Sequence, residues 1–119
     1  MNSRLLNDQH GARTFVLVFD HGDSVMAPPL EFLTANAVGA ARLSGIGALE
    51  SVTLGYFDWR SKSYERHKIG EQVELLSLVG DVALKKDEPV VHAHIVVGAA
   101  TPPRVAAICS TPPCARRSS

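Results

Sequence analysis

Apolar and polar positions along this chain alternate in short stretches, and that pattern lays out one helix among several strands. Arg13-Thr14-Phe15-Val16-Leu17-Val18-Phe19 is β-branched and aromatic and runs into the turn-like Asp20-His21-Gly22-Asp23, which predicts a first strand. Ser24 can cap a helix over about residues 25–38, where Leu30, Leu33, Ala37 and Val38 recur near helical spacing. Pro28 and Pro29 suit a first turn, so the helix can begin at Ala27 or Pro28, and Gly39 is placed to end it.

Residues 40–46 and 49–57 read as two strands joined across Gly45-Ile46-Gly47-Ala48. Asp58-Trp59-Arg60-Ser61-Lys62-Ser63 is a hairpin-type connection into Tyr64-Glu65-Arg66-His67-Lys68-Ile69, a polar edge strand. A long strand follows over residues 73–84, with a bend expected at Gly80. Lys85-Lys86-Asp87-Glu88 is a charged turn before Pro89-Val90-Val91-His92-Ala93-His94-Ile95-Val96-Val97-Gly98. One helix among about six strands predicts an α+β fold with a mostly antiparallel sheet.

Three regions follow. Residues 1–11 are expected to be a flexible N-terminus, residues 12–98 the folded domain, and residues 99–119 a Pro-rich, loosely docked tail. The 119 residues suffice for one domain. Twelve basic residues balance twelve acidic ones, but Arg104, Arg116 and Arg117 lie in the tail, so residues 1–98 are mildly acidic. Hence no overall positive field draws in nucleic acid, and there is no recognition-helix signature and no Arg-Gly-Arg-Pro hook. No apolar run approaches a membrane span and no signal-peptide core opens the chain, so a cytoplasmic location and no membrane partner are expected. Both cysteines, Cys109 and Cys114, are in the tail, which excludes a disulfide framework in the body; they read as free thiols.

The chemistry concentrates in His92-Ala93-His94. Strand alternation puts both imidazoles on one face, about 6.5–7 Å apart along the strand, a separation at which two ligands can share one ion. Zinc or another divalent transition metal is the candidate cofactor. Two imidazoles make an incomplete site, since catalytic zinc uses three protein ligands and a water. Glu74 is the candidate additional ligand, and Asp81 is a second carboxylate on the same predicted strand. His67 reads as solvated, and His10 and His21 fall in terminal and turn contexts. Gly45, Gly47 and Gly55 read as strand bends rather than a phosphate loop. Tyr56, Phe57 and Trp59 read as core or interface packing. Neither Ser44 nor Ser77 has the context of an activated nucleophile.

Three motifs agree in order and spacing with one family: Leu43-Ser44-Gly45-Ile46-Gly47-Ala48-Leu49-Glu50-Ser51-Val52-Thr53-Leu54-Gly55-Tyr56-Phe57, Val73-Glu74-Leu75-Leu76-Ser77-Leu78-Val79-Gly80 and His92-Ala93-His94-Ile95-Val96-Val97-Gly98. Over about residues 12–98 the chain resembles the Plants and Prokaryotes Conserved (PPC) domain in its stand-alone bacterial form. The resemblance implies an α+β fold assembling as a homotrimer, DNA as the usual partner, and a metal site in which a further His from a Gly-Gly-His segment joins the His-x-His strand.

Here the tail departs from that pattern, and the third His is missing. GC-rich codons permissible for the tail, read one base out of phase, give Gly-Gly-His-Leu-Leu-Asp-Ala-Ala-Val-Arg-Pro-Thr-Leu-Glu, close to the family's ending. The tail after about Gly98 therefore reads as a frameshifted C-terminus, with an exposed sheet edge and a weakened trimer expected. Two functional readings remain: a non-enzymatic, self-associating, DNA-related domain, and a metal-dependent small-molecule-binding protein or enzyme at His92 and His94.

Overall fold

The computed structural model describes residues 1–100 and, as backbone strands, residues 105–109 and 115–117. The elements run β1 (Asn2–Gln9), β2 (Ala12–Val18), α1 (Ala27–Ala35), β3 (Ala41–Asp58), β4 (Ser63–Ile69), β5 (Val73–Lys85), β6 (Glu88–Ala99), β7 (Val105–Cys109) and β8 (Ala115–Arg117). The expected antiparallel α+β character is present, but in two sheets: a β1–β2 hairpin and a six-stranded sheet ordered β4-β3-β5-β6-β7, with β8 on β3. A β3–β7 pairing links the two ends of the β3-β5-β6-β7 path.

Within the first eleven residues, expected to be flexible, the structure places a strand. β1 pairs with β2 from Asn2↔Val18 to Gln9↔Ala12 around a two-residue turn, His10-Gly11, with φ of 53° and 79°. Positive φ at both central residues matches the twist of the flanking strands. The hairpin is tied back at its open end. The Met1 ammonium lies 2.9 Å from Asp20 Oδ2 and 2.8 Å from Asp23 Oδ2.

Ser24 is not the cap of α1: the cap position is Met26, which has no capping side chain, and Ser24 Oγ instead accepts from the Met26 N–H (3.3 Å) and the Ala27 N–H (3.5 Å) in the turn leading into the helix. The helix ends before Gly39. Asn36 donates its backbone N–H and its Nδ2 to the Phe32 carbonyl, at 3.0 and 2.9 Å, and Ala37 takes the left-handed conformation at φ 52°. Phe32 meets Phe15 edge to face at 4.9 Å, which links α1 to β2.

Gly45 and Gly47 do not separate two strands. They flank a bulge within the eighteen-residue β3, which keeps pairing with β5 on both sides of it. The irregularity of β5 falls between Leu75 and Ser77 rather than at Gly80. The tail supplies two strands, with β7 pairing along β6 from Ala93↔Cys109 to Val97↔Val105. That edge of β6 is therefore covered, contrary to the exposed edge expected.

Two clusters form the core on one side of the sheet. Leu49, Val52, Leu54, Val73, Leu75, Ile95 and Val97 make the first. Met26 and Leu33, from the α1 region, pack on Val82, Val91 and Ala93 in the second. Because inward residues of β6 are Val91, Ala93, Ile95 and Val97, strand alternation sends His92, His94 and Val96 to the opposite, exposed face.

Candidate functional site

His92 and His94 stand side by side on that outer face, with ring centroids 5.3 Å apart and planes tilted by 46°. An ion about 2.0–2.1 Å from one nitrogen of each ring is within reach at that spacing. Register then decides which neighbours can join. Asp81 lies directly opposite His92 on β5, and Val79 opposite His94. One strand further, Arg42 pairs with Asp81 and Ser44 with Val79. The outer face thus carries two cross-strand rows, Arg42–Asp81–His92 and Ser44–Val79–His94.

Glu74 is not brought to this place. It pairs with Gly98, four residues along β6 from His94, about 13 Å by the rise of a strand. Asp81 is the nearer carboxylate. Even so, among the described residues no group of three or more His, Cys, Asp or Glu side chains is arranged to hold a metal ion. Among the described residues, then, the fold brings two imidazoles together without a third such donor grouped with them. The Cys109 and Cys114 side chains lie outside the described residues.

Gly80 sets how closely β5 approaches the histidine strand. A Cβ built there would lie 2.5 Å from the His92 carbonyl oxygen and 3.0 Å from both Cα and Cβ of Ala93. The remaining histidines fit their sequence contexts. His67 is exposed, with Nε2 3.7 Å from Glu65 Oε2, and His10 occupies the β1–β2 turn.

Of the core and interface alternatives, the core one is excluded for Tyr56 and Trp59: they are 55% and 81% exposed on the single chain, and Tyr64 is 52% exposed. Phe57, Trp59 and Tyr64 pack on one another at the tip of the β3–β4 hairpin, with centroids 5.7 Å (Phe57–Trp59) and 5.3 Å (Phe57–Tyr64) apart. Asp58 shapes this tip by accepting from the Arg60 N–H at 3.0 Å and the Ser61 hydroxyl at 3.1 Å. The signal available in the sequence was the turn chemistry of Asp58-Trp59-Arg60-Ser61-Lys62, which carries the aromatic residue past the end of the core.

The model of the Plants and Prokaryotes Conserved domain, abbreviated PCC or PPC, matches residues 7–107. The chain belongs to this family. Among solved structures it is similar to a metal-containing protein from Archaeoglobus fulgidus, at 27% identity and a TM-score of 0.76, over 99% of this chain and 74% of that one. It is also similar to a plant- and prokaryote-conserved protein from Pyrococcus horikoshii, at 26% identity and a TM-score of 0.72, over 91% of this chain and 68% of that one. A "putative DNA-binding protein" from Ralstonia eutropha shares the fold at 22% identity and a TM-score of 0.79, over 96% of this chain and 74% of that one. No curated protein matches the chain. The match of the PCC domain runs past Gly98 into β7, so the family region is longer than residues 12–98. Among the described residues no helix is long and apolar enough to cross a membrane.

Proposed function

We propose that this PCC-domain protein is a non-enzymatic, self-associating DNA-binding protein of the cytoplasm. The observation that carries the reading is the family match over residues 7–107, to which the name of the Ralstonia neighbour adds DNA as the partner. The homotrimer is what the family resemblance implies, and self-association in general is supported by apolar side chains left open on the outer face: Leu76, Val79 and Val96 are 48%, 53% and 39% exposed around the histidine pair. A neighbouring copy on that face would bury them.

Neutral overall charge means that DNA affinity must come from a local patch. Titrating full-length protein into labelled duplex and labelled single-stranded DNA at rising salt tests the partner. Micromolar binding that weakens with salt supports the reading, and none at low salt defeats it. The molar mass by light scattering tests the trimer.

The second reading, a metal-dependent small-molecule-binding protein or enzyme, is favoured by the 5.3 Å His92–His94 pair and by the metal-containing Archaeoglobus neighbour. His92 and His94 would hold a zinc-like ion, with the further ligand coming from beyond the described residues of one chain. Such an ion polarises an oxygen of a bound ligand or acidifies a water. A frameshifted C-terminus would explain why the sequence has no His after His94, where the resemblance calls for a third one. The coding sequence decides it: codons unable to give Gly-Gly-His in the alternative frame end the idea.

A further inference from the structure

We propose that the β3–β4 hairpin is a platform on which unpaired nucleic-acid bases stack, with Arg66 and Lys68 holding the phosphates. The inference rests on the DNA-binding reading and gives it a location.

Register makes the surface. The pairs Phe57↔Tyr64, Gly55↔Arg66 and Thr53↔Lys68 occupy successive rows of one hairpin face, spaced about 6.5–7 Å apart. The outermost row is aromatic and is capped by Trp59. These rings prop one another edge to face while Trp59 and Tyr64 stay open to solvent. In the next row Gly55, which carries no side chain, stands opposite Arg66. The third row pairs Lys68 with a small hydroxyl residue.

Charge fits the same partner. Residues 56–69 hold Arg60, Lys62, Arg66 and Lys68 against Asp58 and Glu65, although the whole chain is neutral. Asp58 is engaged in the turn. Glu65 belongs to the other face, paired with Tyr56. The three rows of the aromatic face therefore contain two cations and no acid. Exposed rings beside a line of cations suit a polyanion with π faces, because stacking tolerates any base and the cations displace counterions from phosphates.

Trp59 is the sole tryptophan, so the chain carries its own probe. Full-length protein is titrated with a fluorescently labelled oligo(dT) strand and with a duplex of equal length, following both DNA anisotropy and Trp59 emission. Oligo(dT) is expected to quench Trp59 saturably and to bind more weakly as salt rises. Loss of stacking in Trp59→Ala/Tyr64→Ala lowers affinity by roughly fivefold to 150-fold. Arg66→Ala/Lys68→Ala, which leaves the rings in place, flattens the salt dependence. DNA binding with unchanged Trp59 emission and wild-type affinity in both variants overturns the location while leaving the DNA reading intact. Absence of binding to either DNA at low salt overturns both.

Discussion

Gly80 on β5 lies so close to His92 on β6 that the first atom of any side chain would press on the His92 carbonyl oxygen at 2.5 Å. The atoms in the way belong to the His92 and Ala93 backbone and to the Ala93 Cβ, none of which can swing aside. Gly80→Ala is thus expected to cost about 1–3 kcal/mol, as overpacking does in a tight interior. For a chain of 119 residues each kcal/mol lowers the melting temperature by about 4 °C. Gly45→Ala is the control, since its Cβ would meet only Leu78 Cβ at 3.9 Å. Equal melting temperatures for the two variants would refute the close approach.

Ala37 stops α1 in a conformation suited to glycine, at φ 52° and exposed to solvent. Ala37→Gly relieves that cost and is expected to stabilise the protein by about 0.5–1 kcal/mol. Ala35→Gly, two residues earlier at the last position of the helix, should instead destabilise by up to about 1 kcal/mol. Chemical denaturation of the two variants gives opposite signs if the helix ends as described.

How far such features were legible differs by element. The order of strands β2 to β6 was readable, because Phe15-Val16-Leu17-Val18, Ser51 to Phe57 and Val90 to Val97 alternate or are β-branched, and the core draws on the last two stretches. The end of α1 was misjudged because glycine is the usual stop, whereas Asn36 satisfies the Phe32 carbonyl from its side chain and Ala37 bears the strain. β1 gave no signal. Its residues are all exposed and follow no inward-outward alternation, so only the pairing with β2 reveals it. His92 and His94 were correctly placed on one face by period alone. Between the two carboxylates the sequence left open, only the pairing register discriminates: Asp81 faces His92, whereas Glu74, seven residues earlier on β5, pairs with Gly98.

The Met1 ammonium gives the hairpin a pH dependence. Hydrogen bonds to Asp23 and then Asp20 raise its pKa above the ordinary 8.0, against a smaller opposing effect of desolvation. A raised folded-state pKa contributes stability that is complete below pH 8.0 and disappears as pH rises through the raised value. Melting temperature should therefore fall more between pH 7.5 and about 10 in the wild type than in Asp20→Asn/Asp23→Asn. Parallel curves for the two proteins would show that the amine makes no such tie.

Metal retention separates the histidine pair from ordinary surface residues. Protein purified without chelator should carry substoichiometric divalent transition metal that is lost in His92→Ala/His94→Ala, while Glu74→Ala retains it because Glu74 sits far along the strand. Elemental analysis per chain is the measurement. Retention in the double variant, or loss in Glu74→Ala alone, would contradict the geometry.

DNA affinity measured against salt is the most direct test of the central claim. Full-length protein is titrated into a labelled duplex and a labelled single strand between about 50 and 200 mM monovalent salt. The account gives micromolar binding at the lower salt, a log–log slope matching a few phosphate contacts, and a steeper slope for wild type than for Arg66→Ala/Lys68→Ala. No binding to either DNA at about 50 mM salt, with the protein folded and self-associated, would contradict it.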